Sequence, residues 1–341
     1  MSVKTFPIAL AALAVAFTAI APSSASAWGD TGHRMIGEAA MRRLPEGLPA
    51  FLYTEASISD VGQYSREPDL WRKAGLVHDA DRDPAHLIRL DDTGTSLAGM
   101  GLTDLPATRS LYEAALRAKG VDPVVVGYLP YSLADAYLQV TKDMAFLRLI
   151  ALADAREKDP VKRAWLKAAL RRRQDLTLRD IGILSHYIGD AAQPMHMSIH
   201  YDGWGDFPNP QGFTTAHIHW PLEGAYVRQN VTFAAVLQGM APYAPCADEV
   251  QACVAHRLET DFKEVIPLFE LEKAGGFKPG DPRGAVYLTS RLAHGASDLR
   301  DMLGEAWRDS STMAINFAEQ TYRDAEAGRI PDLYLLLTGD S

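Results

Sequence analysis

Residues 178–196 read LRDIGILSHYIGDAAQPMH, and the apolar side chains in this stretch recur at the spacing of an α-helix. His186 and Asp190 stand four residues apart and therefore lie on the same face of the predicted helix. Pro194 must end or bend that helix, so His196 is directed elsewhere. This stretch predicts a helix that carries candidate metal ligands near one end.

The segment His219-Trp-Pro-Leu-Glu223 repeats the spacing of a histidine and a carboxylate four residues apart. Imidazole nitrogen and carboxylate oxygen are ligands that zinc accepts when no thiolate is present. A single pair of this kind often forms only a mutual hydrogen bond. Two pairs, with His196 close to the first, instead predict that the chain binds metal ions.

Residues 1–27 have the features of a secretory signal. Lys4 is followed by an apolar run over residues 6–21, and Ala25-Ser26-Ala27 has the form of a cleavage site. Cleavage there would leave Trp28 with a free α-amine beside its carbonyl oxygen, a chelating pair, and His33 follows five residues later. We therefore expect an exported protein, periplasmic or secreted, whose new N-terminus contributes to a metal site.

The mature chain, residues 28–341, is predicted to form one all-α domain, because its apolar spacing is mostly helical and no linker divides it. The predicted helices cover residues 31–43, 133–156, 162–170, 178–190, 260–274, 285–303 and 313–327. Long loops rich in Asp, Gly and Pro are predicted at residues 79–106 and 198–216. Both loops flank the candidate ligands, and loops of this length are usually functional.

Composition limits the classes of partner. No apolar run after the signal is long enough to span a bilayer, so we expect no stable membrane insertion. The formal charge of −9 argues against broad coating of duplex nucleic acid. It leaves phosphodiester substrates open, because bound metal ions reverse the local charge. Cys246 and Cys253 are predicted to form one local disulfide in an oxidising compartment, and the protein is expected to be a monomer.

These motifs together resemble those of the zinc-dependent phospholipase C / S1–P1 nuclease superfamily. Trp28-Gly-x-x-Gly-His33 is similar to the processed N-terminus of that superfamily, and the run from His186 to His196 is similar to its central helix motif. The resemblance covers residues 28 to about 227. It implies a single-domain helical bundle around a trinuclear zinc site.

The resemblance also implies ligands for each of the three Zn²⁺ ions. The first ion would take Asp69, His86, His186 and Asp190; the second the amine and carbonyl of Trp28, His33 and Asp190; the third His196, His219 and Glu223. Asp69 and Asp190 would be the catalytic residues. Asp69 with Arg72 resembles the Asp-x-x-Arg element of the family, and His86 its following histidine.

Two ligand assignments stay open at this point. His78 lies nearer to Asp69 in sequence than His86 does, and is the alternative to it. His217 matches the His-x-x-Trp pattern of the nuclease branch, but only His219 has a carboxylate, Glu223, four residues on. We favour His86 and His219.

The activity implied by the resemblance is metal-assisted hydrolysis of a phosphate ester, in which Asp69 orients or deprotonates the attacking water. The N-terminal motif and the gap between His196 and His219 favour the nuclease branch, which cuts single-stranded DNA or RNA to 5′-nucleotides. Glu223 and Pro210-Gln-Gly-Phe213 favour instead a phospholipase C that acts on phosphatidylcholine-type lipids. A non-catalytic exported zinc-binding protein is a further alternative.

Aromatic residues and a histidine in the loop 198–216 are candidates for substrate contact. Trp204 and Phe207 lie in a Gly/Pro-rich loop and are candidates for stacking a nucleic-acid base or covering a lipid headgroup. His200 in the same loop is a candidate substrate contact. His256 and His294 lie in helical patterns away from the other candidate ligands, and we interpret them as solvated or core histidines.

Overall fold

The computed structural model describes residues 28–339, so the predicted signal segment lies outside the described residues. Among residues 28–339, extended pairing is limited to isolated bridges such as Leu90 with Ser198. The all-α fold class is confirmed. The α-helices are α1 Gly29–Arg42, α2 Glu55–Tyr64, α3 Glu67–Leu70, α4 Leu76–Arg82, α5 Arg109–Ala118, α6 Pro123–Val126, α7 Leu129–Arg156, α8 Pro160–Ala192, α9 Val227–Asn230, α10 Phe233–Gly239, α11 Val250–Phe262, α12 Val265–Lys273, α13 Arg283–Asp309, α14 Tyr322–Glu326 and α15 Leu333–Thr338.

Helix α8 has a clear start and stop in the sequence. The Asp159 side chain accepts hydrogen bonds from two backbone amides of the first turn, and Pro160 stands at the first helical position. At the other end, Pro194 disfavours a helical backbone at the residue before it. Gln193 accordingly has an extended conformation, with φ −95° and ψ 109°.

The sequence predicted two helices, at 162–170 and 178–190, where the structure has the single 33-residue helix α8. The intervening residues 171–177 read RRRQDLT and contain neither glycine nor proline. Arginine, glutamine and leucine are good helix formers, so nothing in this segment interrupts the backbone hydrogen bonds. The predicted break was wrong, because the helix continues through these residues although their apolar periodicity fades.

The C-terminal half of α8 lies inside the protein. Nearly every side chain from Thr177 to Ala192 is buried, because α1, α2, α7 and α13 all contact this helix. A helix buried on all sides is expected to be apolar on all sides, yet this half contains His186 and Asp190. The main core therefore surrounds a small number of buried polar groups.

A second, smaller apolar cluster packs the other half of α8. Leu149 of α7 and Leu166 of α8 contact Ile315, Ile330 and Leu333 from the C-terminal part of the chain. This cluster holds α14 and α15 against α7. It leaves the end of α8 that carries His186 to be packed by the main core.

Two other predicted helices were wrong in extent. The predicted helix at 260–274 is divided between α11 and α12, because Pro267 has no N–H group and its ring conflicts with a helical carbonyl four residues earlier. The predicted helix at 313–327 is reduced to α14. In its first half Asn316 Oδ1 accepts a hydrogen bond from the amide of Gln320, which favours a turn over a helix.

Several helices were not predicted from the sequence, and one of the two predicted long loops is partly helical. Helices α2 and α5 were missed, although Thr54 and Thr108 cap them through side-chain hydrogen bonds. The predicted loop 79–106 contains the end of α4 and a 3₁₀ turn at Asp83–His86, whereas the segment 198–216 is a loop as predicted.

The Cys246–Cys253 disulfide is confirmed. No helix within residues 28–339 has the length and apolarity needed to cross a membrane.

The contact between α2 and α8 depends on Gly182. A Cβ atom at this position would lie 2.4 Å from Tyr64 Cβ and 2.7 Å from the Tyr64 carbonyl carbon. We predict that Gly182→Ala lowers the free energy of unfolding by roughly 1–3 kcal/mol, because overpacking outweighs the better helix propensity of alanine. Chemical denaturation in saturating zinc measures this change.

Lys167→Ala, on an exposed turn of the same helix, is the matched control. It should change the free energy of unfolding by less than about 0.5 kcal/mol. A Gly182→Ala protein as stable as the parent would show that the α2–α8 contact relaxes without cost.

Candidate metal centre

The structure brings all eight side chains predicted as metal ligands into three clusters. In each cluster the candidate ligand atoms lie within 4.8 Å of one another. Two of the clusters share His186, and we call them the paired clusters; they consist of His33, His186 and Asp190, and of Asp69, His86 and His186. The third cluster consists of His196, His219 and Glu223.

These side chains come from elements far apart in the chain. His33 lies in the second turn of α1 and Asp69 in the short helix α3. His86 is the last residue of the 3₁₀ turn Asp83–His86, and His196 lies within the 3₁₀ turn Pro194–Met197. Each turn has a proline at its first or second position. Glu223 lies in a π-helical turn at Pro221–Tyr226, an element that occurs often at functional sites.

The paired clusters have the separations expected of ligands that share an ion. Asp190 Oδ2 is 2.9 Å from His86 Nδ1 and 3.3 Å from His186 Nε2, and the two imidazole nitrogens are 2.9 Å apart. Two ligands of a tetrahedral zinc ion, each about 2.0–2.1 Å from it, are roughly 3.3 Å apart. These three atoms are therefore arranged around one point.

The third cluster is arranged so that it could hold a cation. The Nδ1 atoms of His196 and His219 donate to the backbone carbonyls of His86 and Tyr201, at 2.7 and 2.5 Å. In a neutral imidazole the other nitrogen then carries a lone pair. The two Nε2 atoms nevertheless face each other at 3.1 Å, and Glu223 Oε1 lies 2.6 Å from the Nε2 of His219. Either a metal ion or an additional proton on an imidazole would make this arrangement favourable.

His186 is oriented in the same way. Its Nδ1 donates to the backbone carbonyl of Ser65 at 2.8 Å, so its Nε2 lone pair points at Asp190 and His86. A hydrogen bond to the distal nitrogen is the usual means by which proteins orient metal-binding histidines. The geometry thus matches the ligand role predicted for His186.

His33 completes the paired clusters. Its ring stacks on that of His186, with centroids 4.0 Å apart, and its Nε2 lies 3.7 Å from Asp190 Oδ1. Gly189 makes room for this ring, because a Cβ there would lie 2.7 Å from His33 Nδ1. Burial, with a smaller contribution from His186, lowers the pKa of His33 to about 3, so this imidazole is neutral and available as a ligand.

The carboxylates make the centre strongly attractive to positive charge. Burial by itself would raise the pKa of Asp190, but His186, His196 and His86 together lower it well below its ordinary value. Burial lowers the pKa of His196, and this effect is outweighed by Asp190 and Glu223, which raise it to about 9. The centre thus holds ionised carboxylates in the interior, where they require a cation or a proton close by.

Buried oxygen atoms support the same conclusion. Asp190 Oδ1 and Glu223 Oε2 are shielded from solvent and accept no hydrogen bond from any described residue. An unsatisfied buried carboxylate oxygen costs several kcal/mol in most settings. Asp190 has one oxygen toward His33 and the other toward His86 and His186, which is the arrangement needed to bridge two ions.

Trp28 lies beside the paired clusters. Its indole donates to the carbonyl of Gly189 at 2.6 Å, which places this residue next to Asp190 in the core. Its carbonyl oxygen accepts the first backbone hydrogen bond of α1, from Gly32 at 3.1 Å. The role of its amine depends on cleavage after Ala27 and stays a prediction.

The structure decides between the two histidines that the sequence left open at each of two ligand positions. His86 is buried in a cluster, whereas His78 is partly exposed and contacts Asp79 at 3.2 Å. His219 faces Glu223, whereas His217 is exposed and contacts Asp202 at 2.8 Å. His86 and His219 are therefore the members of the clusters.

The structure separates the two aromatic residues predicted to contact substrate. Trp204 is fully buried, because its ring stacks on His200 at 3.6 Å and its indole nitrogen donates to the carbonyl of Pro208. That side chain has no free face for a ligand, and the role suggested for it was wrong. Phe207 is exposed, with its ring edge toward His200.

Sequence reasoning missed two features around the centre. Gln193 connects its parts: its side-chain nitrogen donates to Glu223 Oε1 at 2.5 Å, and its side-chain oxygen accepts from the amide of Met195 at 2.9 Å. A cavity of about 830 Å³ also adjoins the paired clusters, lined by Ala85 and by Tyr187, whose ring contacts His86. Only the position of Gln193 between the ligands hinted at its role.

Gln193 should support metal binding without being a ligand. We predict that Gln193→Ala weakens zinc binding by the third cluster about 10- to 100-fold, because Glu223 loses the hydrogen bond that holds its carboxylate. Competition with a chromophoric chelator measures the affinity. Gln63→Ala, at an exposed position of α2, is the control and should bind zinc as the parent does. An unchanged affinity in Gln193→Ala would contradict this supporting role.

Comparison with known proteins adds no family assignment. No protein-family model matches the sequence, and the search of curated proteins gives no match. The possible metal-binding clusters of the described residues therefore rest on their geometry alone.

Proposed function

We propose that the protein is a zinc-dependent phosphodiesterase, and specifically an exported nuclease that hydrolyses single-stranded DNA or RNA to 5′-nucleotides. The observation that carries this proposal is the convergence of three His/carboxylate clusters, two of which share His186 and meet at Asp190. Adjacent cation sites are typical of enzymes that cleave phosphate esters. The proposal agrees with the superfamily resemblance of the sequence.

Zinc is the metal that fits the donor set best. The clusters offer imidazole nitrogen and carboxylate oxygen and no thiolate, since the two cysteines form a disulfide. Magnesium and calcium prefer all-oxygen sites, whereas imidazole suits zinc and its transition-metal neighbours. When bound here, zinc would supply a water of lowered pKa and positive charge opposite the phosphate oxygens.

The chain's own residues would then orient the reaction. Asp190 would hold the paired sites at a fixed separation through its two carboxylate oxygens. Asp69, which Arg72 contacts at 3.5 Å, would orient the attacking water and accept its proton. His196, His219 and Glu223 would hold a further ion, whose positive charge would offset the negative charge of the phosphate.

Exposed aromatic residues favour a nucleic acid as substrate. Trp220 and Tyr201 are each close to half exposed, and both are attached to the third cluster: Trp220 follows His219, and the Tyr201 carbonyl accepts from His219. The Arg89 guanidinium lies 4.5 Å from the centre of the Tyr201 ring. Aromatic rings beside positive charge bind single strands by stacking bases and attracting the backbone.

The alternative, a phospholipase C acting on phosphatidylcholine-type lipids, also has a specific observation in its favour. Leu70, Leu76 and Val77 are strongly exposed, and the first of them is adjacent to Asp69. Helix α4, which begins at Leu76, buries none of its residues. Exposed apolar side chains next to a centre of this kind are suited to a lipid surface.

Asp190→Asn tests whether the centre is catalytic. We predict loss of bound zinc and a fall in phosphodiester hydrolysis of at least about 10³-fold, because the paired sites lose their shared carboxylate. Elemental analysis and single-turnover assays measure the two effects. Asp175→Asn, at an exposed position of α8, is the control. A parent protein that binds zinc but hydrolyses neither nucleic acid nor lipid would be a zinc-binding protein without this activity.

Trp220→Ala tests the substrate class. If Trp220 stacks a base, KM for single-stranded DNA should rise roughly 5- to 150-fold, the equivalent of 1–3 kcal/mol, while the zinc content stays the same. Phe317→Ala removes another exposed aromatic ring, outside the clusters, and should leave KM unchanged. Turnover of phosphatidylcholine with no cleavage of DNA or RNA would assign the protein to the phospholipase alternative.

A further inference from the structure

A fourth cluster of candidate ligands lies between α11 and α13. His294 Nε2 is 3.2 Å from Asp261 Oδ1 and 3.4 Å from Asp298 Oδ2. The ligand atoms of all three residues lie within 4.8 Å of one another. These separations match the roughly 3.3 Å expected between two ligands of a tetrahedral zinc ion. None of the three residues belongs to the paired clusters or the third cluster.

The spacing of this cluster repeats that of the candidate metal centre. Of the ten histidines, three are followed by a carboxylate four residues later, namely His186, His219 and His294. The first two lie in the clusters described above. His294 was interpreted from the sequence as a solvated or core residue, and the pairing with Asp298 on α13 was overlooked. Asp261 comes from α11, which the sequence could not place beside it.

Both carboxylates are paired with arginines, and Arg291 contacts the same Asp261 oxygen that faces His294. Arg291 donates to Asp261 Oδ1, and Arg257 lies 3.7 Å from Asp298 Oδ1, which leaves Asp298 Oδ2 directed at His294. Carboxylates that bind metals are usually hydrogen-bonded in this way by outer groups. The Nε2 atom of His294 is buried and makes no hydrogen bond with any described residue. This nitrogen therefore lies between two carboxylates whose positions are fixed.

Apart from His294, the carboxylates of this region outnumber the guanidinium groups paired with them by one, so a proton on His294 or a bound cation would balance the charge. Arg257 also pairs with Glu305, and Arg300 pairs with Asp301. Four carboxylates of this region thus face three guanidinium groups: Asp261, Asp298, Asp301 and Glu305 against Arg257, Arg291 and Arg300. Asp261 and Glu305 are almost fully buried, so water screens this imbalance poorly.

We propose that Asp261, His294 and Asp298 form an additional site for a divalent cation such as Zn²⁺. The site has three protein ligands and an open side toward solvent, because His294 and Asp298 are partly exposed. It joins α11 to α13. It also contacts the centre through Arg291, whose Nε donates to the carbonyl of Ala192 at the end of α8. The proposal does not depend on the proposed phosphodiesterase activity.

The test is the number of zinc ions per chain in His294→Gln and in the full-length parent protein. Both are dialysed against the same buffered free Zn²⁺ and analysed for metal and protein. We expect His294→Gln to bind about one ion fewer than the parent. His256→Gln, an exposed histidine of α11, should bind as many ions as the parent. Equal zinc content in the parent and His294→Gln would overturn the proposal.

A second measurement keeps the test independent of folding defects. In protein loaded with ¹¹³Cd²⁺, each occupied site gives its own NMR resonance. Asp298→Asn should remove one resonance and leave the others at their parental shifts. If the same resonances appear in the parent and in Asp298→Asn, the cluster binds no cation and His294 holds only a proton.

Discussion

The structure depends on one buried carboxylate, that of Asp190. It lies at the C-terminal end of α8, where the helix dipole is already unfavourable to negative charge, and it is excluded from solvent. An isolated ion in such a place is too costly to retain. The surrounding histidines offset part of this cost, and a cation held among them would offset more. The packing of α1, α2, α7 and α13 around α8 can be understood as the enclosure of this group.

The candidate ligands are held by a rigid interior and by backbone turns. Two histidines are oriented by hydrogen bonds to carbonyls in turns, His186 to Ser65 and His219 to Tyr201. Because the ligands come from separate parts of the chain, the clusters can assemble only when the helices have packed. Binding of metal ions and folding are therefore expected to be coupled.

The interior and the surface of the centre have different chemistry. Inside, imidazoles and carboxylates face one another at less than 4 Å and exclude water. Outside, Trp220 and Tyr201 expose aromatic faces beside the third cluster, and Leu70, next to Asp69 in the chain, exposes an apolar side chain. The interior thus offers groups that could hold cations, whereas the outer residues offer surfaces of two different chemistries.

The sequence by itself determined the features that depend on neighbours along the chain. Periodicity and composition predicted the helical class and the loop at 198–216. Short separations along the chain predicted the disulfide and paired His186 with Asp190 and His219 with Glu223. The position of His33 just after Trp28 made it a candidate as well, and the resemblance assigned it and Asp69 to particular ions. Errors of helix extent arose where apolar periodicity faded, as at residues 171–177, although helix propensity persisted.

Only the tertiary structure decided which distant residues meet. It placed His86 rather than His78 beside Asp190, buried Trp204 under His200, and brought Asp261 to His294 across two helices. Periodicity states which face of a helix a residue occupies, but says nothing about the element that packs against that face. Which element packs there depends on how whole helices fit together in the core, and residue spacing along the chain contains no information about that fit.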